Sequence, residues 1–325
     1  MQAARAFWVT GPGRGEIRTS PLASPGPGDV VVRTLFSGVS RGTEALVLRG
    51  GVPVDQYDVM RAPWQEGEFP APVKYGYLNV GVVESGPDDL AGRTVFCLYP
   101  HQTRYVVPGS AVTPVPVDVP ARRAVLAGTM ETALNAVWDA GPLPGDAIAV
   151  VGAGMVGCCA ARILARMPAL TVTLVDVDPD RKAVADALGV GFALPDEAPR
   201  DLDCVLHTSA TSAGLQLSLD LLGPDGDVVE MSWYGDRPVQ VSLGGSFHSS
   251  RLRVRASQVG EVSASRRGRR THADRLRVAL ELLRDPAIDV LLTGESRFDD
   301  LPDVLPRLAD GSLPALCHVV AYEED

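Results

Sequence analysis

At 325 residues with 46% hydrophobic side chains, the chain is long enough for two domains, each with its own core. Its 30 basic against 40 acidic side chains leave a net charge of −10, which argues against nonspecific binding to nucleic acid or to an anionic membrane surface. No apolar run approaches a membrane span and no charged-then-apolar leader opens the sequence, so the expectation is a cytoplasmic protein.

The N-terminal third reads as β-rich, with extended segments at 3–10, 29–37, 78–85 and 93–98 separated by Gly/Pro punctuation. Four prolines between 108 and 120 predict an extended connector, and 122–140 has helical spacing that Gly141-Pro-Leu-Pro-Gly145 breaks. Strands and helices then alternate: 148–151, 158–167, 171–175, 179–188, 204–207, 213–222, 227–232 and 253–256. Such alternation predicts an α/β unit built on a parallel, doubly wound sheet. Gly223-Pro-Asp-Gly226 reads as a turn closing a helix, 276–283 as a further helix and 313–322 as a last strand. The five cysteines (97, 158, 159, 204, 317) include no Cys-x-x-Cys pair and sit in apolar neighbourhoods, as buried small hydrophobes do.

Residues 148–157, Ile-Ala-Val-Val-Gly-Ala-Gly-Met-Val-Gly, carry the most chemistry. Gly152 permits a tight turn, Gly154 lets the backbone approach a pyrophosphate, and Gly157 lets helix pack closely on strand. The N–H groups around Met155 and Val156 then receive the phosphates. A second strand ends in Asp176, nineteen residues beyond Gly157, where a carboxylate accepts from both ribose hydroxyls and repels a 2′-phosphate. The cofactor expected is a dinucleotide, NAD in preference to NADP. The basic cluster Arg266, Arg267, Arg269 and Arg270 reads as a solvated loop, with an anionic substrate or a 2′-phosphate as the alternatives.

On these marks the chain resembles the medium-chain dehydrogenase/reductase superfamily, of which the zinc alcohol dehydrogenases are members. The matching stretches are 1–13, 37–44 (Ser-Gly-Val-Ser-Arg-Gly-Thr-Glu), 81–84, the glycine fingerprint and 219–229. Segments 37–44 and 257–260 (Ser-Gln-Val-Gly) are most similar to the branch that includes bacteriochlorophyllide hydroxyethyl dehydrogenase. The resemblance implies a GroES-like β-rich catalytic domain at 1–125 and 271–325, with a Rossmann domain at 126–270 inserted in it. It also implies a cleft between the domains, a small-molecule substrate, and a homodimer through the edge strand near 253–257.

The family's zinc ligands are missing from their places. Ser40 or Arg41 stands for the first cysteine, Tyr77 and Leu78 for the His-Glu pair, and Gly128 for the last ligand, with Glu131 three residues on. No metal site and no zinc are expected, because a catalytic zinc needs about three imidazole, thiolate or carboxylate ligands. An oxyanion must then be stabilised by hydrogen-bond donors. Thr43 matches the family hydroxyl that relays the substrate proton. Tyr77 is the second candidate if a cation such as Lys74 lowers its pKa, against a partly buried aromatic that caps the strand. Lys74 itself reads more readily as a solvated amine. Glu131 is the remaining acid/base candidate, or a helix-start carboxylate.

Arg41 either reaches the cofactor pyrophosphate or pairs with Glu44, which reads as an orienting residue. Arg181 and Ser257 match family positions near the cofactor, and Arg181 equally suits an exposed helix pair. Among the histidines, His101 reads as structural, His207 as a cofactor contact or a satisfied loop residue, and His248 as a weak substrate-side candidate. His272 and His318 read as surface or edge residues. Segments 46–72 and 247–258 would form the substrate pocket. Tyr57, Trp64, Phe69 and Phe247 are either an aromatic wall or loop anchors. The expected activity is zinc-independent, NAD(H)-dependent interconversion of a secondary alcohol and a ketone. The alternatives are an NADPH-dependent enoyl or quinone reductase and a non-catalytic nucleotide-binding protein.

Overall fold

A computed structural model describes residues 3–323; residues 1, 2, 324 and 325, assigned above to the catalytic domain, lie outside the described residues. The chain divides into two compact units, Met1–Gly128 with Leu292–Asp325, and Thr129–Leu291.

The first unit is built on strand Asp29–Val39. It pairs antiparallel with Asn79–Ser85, Arg104–Pro108 and the returning strand Cys317–Ala321. Val30, Val32, Val83, Val95, Tyr105 and Val107 close the core beneath it. Leu292–Arg297 runs parallel to Cys317–Ala321, so the C-terminal tail completes the N-terminal sheet. A smaller sheet orders Arg14–Pro21, Ala3–Gly11, Val73–Lys74 and Glu66–Gly67. Helices Arg41–Leu48 and Leu301–Asp310, absent from the sequence reading, also belong to this unit. In the second, Pro302 and Pro306 hide a regular stripe of buried Leu301, Val304, Leu305 and Leu308, because proline is rare inside helices. The helix predicted over 122–140 is two pieces, Ala121–Ala124 and Ala127–Ala140.

The second unit carries a six-stranded sheet, parallel throughout, whose strands in spatial order are Gly191–Ala193, Thr171–Val175, Ala147–Val151, Leu202–His207, Leu222–Glu230 and Arg253–Ala256. In sequence terms this is 3-2-1-4-5-6, the Rossmann order, which leaves a crevice beyond the carboxyl ends of the strands. The turn predicted at Gly223–Gly226 lies inside strand Leu222–Glu230. It survives there as a bulge: the register jumps from Leu202↔Leu222 to Cys204↔Asp227, and Asp225 takes φ 64°.

By compactness this unit runs to Leu291, beyond the expected 270: Arg162 pairs with Asp285, Leu280, Leu283, Ile288 and Leu291 are buried, and Arg275 adds a buried ion pair. Helix His272–Leu282, started by a Thr271–Asp274 capping box, turns Arg275 inward to 1% exposure. Its guanidinium donates to Glu131 Oε1 (3.0 Å) and Asn135 Oδ1 (2.6 Å) on helix Ala127–Ala140, and to the carbonyls of Val259 and Glu261. Glu131, offered above as an acid/base candidate, is therefore a buried structural partner. Burial pushes its carboxyl pKa up, and Arg275 opposes that shift. No helix among the described residues is long and apolar enough to cross a membrane.

Removing one member of a buried ion pair strands the other charge. Arg275→Met is expected to lower the unfolding free energy of the chain by about 3–5 kcal/mol in urea titrations, and adding Glu131→Leu to restore part of it. A loss below about 1 kcal/mol would contradict the structural role.

Candidate functional site

The glycine turn of the second unit is sterically closed behind and open in front. Gly152 has φ 110°, and a Cβ there would lie 2.7 Å from Thr208 Oγ1 and 2.8 Å from the Ser209 nitrogen. A Cβ at Gly157 would lie 2.0 Å from the Gly152 carbonyl oxygen, so both positions must be glycine. Gly154 caps helix Met155–Ala165 with no side-chain bond, and nothing lies within 4 Å of where its Cβ would be. The first N–H groups of that helix, from Met155 and Val156 onward, have no intrahelical acceptor, which is the cradle a diphosphate fits. Asp176 follows strand Thr171–Val175 directly. Its Oδ2 accepts from the Ala153 nitrogen (2.6 Å) and its Oδ1 from that of Asp178 (3.0 Å). A carboxylate has about four acceptor positions, so two backbone donors fix its orientation and leave room for ribose hydroxyls. Arg181 pairs with Asp178 at 3.2 Å, and Ser257 donates to Asp139 Oδ2 at 2.6 Å.

The first unit gathers Ser40, Thr43 and Tyr77, all half-buried, at the start of helix Arg41–Leu48. The Tyr77 hydroxyl donates to Ser40 Oγ at 2.7 Å. Burial raises its pKa to about 12, against the hydrogen bonds to Ser40 and Thr43 that lower it and with the nearby Glu44 charge adding to it. The activation expected from Lys74 does not occur. Lys74 is 2% exposed and its ammonium donates to Glu66 and to Gln102 Oε1 (2.8 Å), so it is neither a solvated amine nor a partner of the phenol. Tyr77 remains a protonated hydroxyl at neutral pH, a donor and not a phenolate.

Beneath the cluster lies a network that sequence reasoning missed. Glu44 Oε1 accepts from the Ser40 nitrogen (2.8 Å) and Oε2 is 2.9 Å from His101 Nε2; His101 Nδ1 is 2.7 Å from Ser37 Oγ, which is 3.0 Å from the Tyr322 hydroxyl. Ser37, Glu44 and His101 are buried. An ionised Glu44 fixes the proton on Nε2, so Nδ1 accepts from Ser37. Glu44 is thus held by Ser40 and His101, and Arg41 stands exposed without it. The paired signal in the sequence was Ser-x-x-x-Glu at a helix start; its partner His101 lies too far along the chain to be read.

The remaining candidates fall elsewhere. His248 is exposed, and His272 bonds the Gly260 carbonyl. His318, expected at a surface or edge, is 4% exposed because its strand lies inside the sheet. Phe69 is buried and Phe247 packs on the core of the second unit, so they are anchors of separate cores. All five cysteines are free and buried. The arginines at 266, 267, 269 and 270 are exposed, in agreement with a solvated loop.

At the family's zinc positions stand Ser40 or Arg41, Tyr77 and Gly128, none of which carries an imidazole, thiolate or carboxylate. Among the described residues no three His, Cys, Asp or Glu side chains are grouped to hold a metal. The third position is closed by packing: a Cβ on Gly128 would lie 2.6 Å from Leu78 Cδ2, and Leu78 is fully buried.

No family model matches the chain. Over 117 residues it is 28% identical to the L-threonine 3-dehydrogenase of Rhizobium rhizogenes, a match covering 36% of this chain and 33% of the relative, so the chain spans about a third of that curated relative's length. A protein of Sinorhizobium meliloti assigned to the zinc-binding dehydrogenases and solved with NADP superposes with TM-score 0.78 at 18% identity, covering 99% of this chain and 100% of that one. The short chain alcohol dehydrogenase of Escherichia coli complexed with NADH gives TM-score 0.78 at 16% identity over the same shares. The fold is that of the medium-chain, alcohol-dehydrogenase-like proteins, a GroES-like β-rich domain with an inserted Rossmann domain.

Gly157→Ala places a methyl against a backbone carbonyl that cannot move aside. It is expected to weaken NADH binding at least about tenfold, or 1.4 kcal/mol, in fluorescence titrations. Unchanged affinity would show that the turn does not carry the nucleotide.

Proposed function

We propose that the chain is a zinc-independent, NAD(H)-dependent oxidoreductase that interconverts a secondary alcohol and a ketone. The observation that carries this reading is the Ser40–Thr43–Tyr77 hydroxyl cluster, held by Glu44 and His101 at the family's zinc position, in a chain whose nucleotide turn is intact. Gly152, Gly154 and Gly157 bind the diphosphate, and Asp176 binds the adenosine ribose. The nicotinamide, when bound, supplies or accepts the hydride. Thr43, supported by Tyr77 and Ser40, donates hydrogen bonds to the substrate oxygen and moves its proton. Such donors stabilise a developing oxyanion when water is excluded. Glu131, held by Arg275, has no part in the proton chemistry.

A second reading, an NADPH-dependent enoyl or quinone reductase, is favoured by the NADP bound to the Sinorhizobium protein and opposed by Asp176. The exposed edge strand Arg253–Ala256 is the surface we assign to a second copy of the chain, and sedimentation equilibrium reads that mass directly.

Tryptophan quenching is expected to give clearly tighter binding of NADH than of NADPH, and the reverse order would transfer the assignment to the second reading. In a screen of alcohols, ketones and enones, Thr43→Val is expected to lower kcat by about 10²–10⁴ and Tyr77→Phe by less. The same preparation should contain well below one zinc per chain; stoichiometric zinc with activity lost to chelators would refute the zinc-free assignment.

A further inference from the structure

A second polar constellation stands at the carboxyl end of the parallel sheet, outside the residues used above. His207, wholly buried, ends strand Leu202–His207. Its Nε2 is 2.7 Å from Ser209 Oγ and its Nδ1 2.7 Å from Glu230 Oε2, the last residue of the next strand and its partner in register. Glu230 also accepts from the Ser232 nitrogen (2.7 Å) and the Tyr234 hydroxyl (2.9 Å). Burial opposes its charge, but the hydrogen bonds from His207 and Ser232 outweigh it and hold the carboxyl below its usual range. An ionised Glu230 keeps the proton on Nδ1, so the Nε2 lone pair faces the Ser209 hydroxyl. Nucleophile, base and base-orienting acid are thus in hydrogen-bond sequence.

The local backbone agrees. Ser209 sits on a sharp strand-to-helix turn between Leu202–His207 and Ser212–Asp220, and the next residue, Ala210, has φ 53°. Such turns lift a serine hydroxyl above an α/β sheet. Space beside it is tight: a Cβ on Gly214 would lie 2.1 Å from Ser209 Oγ and 2.8 Å from His207 Nε2. Thr211 Oγ1, 3.0 Å away, caps the helix by accepting from the Gly214 nitrogen and is free to donate its own proton to Ser209. The Ala210 N–H, the usual oxyanion donor beside such a nucleophile, bonds Ser232 Oγ at 3.1 Å, an acceptor that a carbonyl oxygen can displace.

We propose that Ser209 is a nucleophile and that the Rossmann unit carries a second activity, hydrolysis of carboxylic esters. Ser209 Oγ bonds to the acyl carbon as its proton passes to His207 Nε2. The ester C–O bond breaks and that proton leaves with the alcohol. Water then gives a proton to His207 and its oxygen to the acyl carbon; the acyl–Oγ bond breaks, the carboxylic acid departs, and Ser209 recovers its proton.

The full chain treated with p-nitrophenyl acetate is expected to release a burst of p-nitrophenolate and to carry an acetyl group on the peptide containing Ser209. Ser209→Ala should abolish the burst, and His207→Gln should slow it by about 10²–10⁴. Peptide mapping of the unsubstituted chain answers the question even where a variant fails to fold. No burst, or an adduct mapped away from Ser209, overturns the proposal, as does a burst that folded Ser209→Ala retains.

Discussion

A carboxylate taken out of water must be paired, and in the first unit that requirement falls on Glu44. Its two oxygens tie the start of helix Arg41–Leu48 to His101, His101 ties strand Asp29–Val39 through Ser37, and Ser37 ties the C-terminal return through Tyr322. Three stretches of chain far apart in sequence, around residues 37–44, 101 and 322, therefore share one network. The half-buried Ser40, whose backbone N–H that network holds, accepts in turn from the Tyr77 hydroxyl.

The second unit answers the same problem in its own way. Strands that run parallel end together, so residues at their carboxyl ends meet without any loop having to bring them there. His207 and Glu230 are register partners for that reason, and Gly152 lies beside the segment that follows His207. A single sheet edge thus holds both a diphosphate cradle and a Ser-His-Glu sequence of hydrogen bonds.

What could be read from the sequence followed from short-range sterics. The glycine turn and Asp176 depend on contacts within one βα unit, and strand Thr171–Val175 follows from its apolar run. Thr43 and Tyr77 could be named because a family pattern pointed to their positions. What failed depended on distant partners. Glu131 looked free because Arg275 lies 144 residues away, and Lys74 looked solvated because Gln102 lies 28 residues on. The His101–Glu44 pair spans 57 residues, with nothing local to announce it. The domain boundary differs for the same reason: the segment after 271 is held by partners far back in the chain, Glu131 for Arg275 and Arg162 for Asp285.

Leu78 has a consequence for how this chain could change. Its Cδ2 occupies the volume next to Gly128, so a side chain at 128 requires Leu78 to shift. Residues 78 and 128 are consequently coupled: the effect of a side chain gained at 128 depends on the size of residue 78, and shrinking 78 opens a cavity in the core.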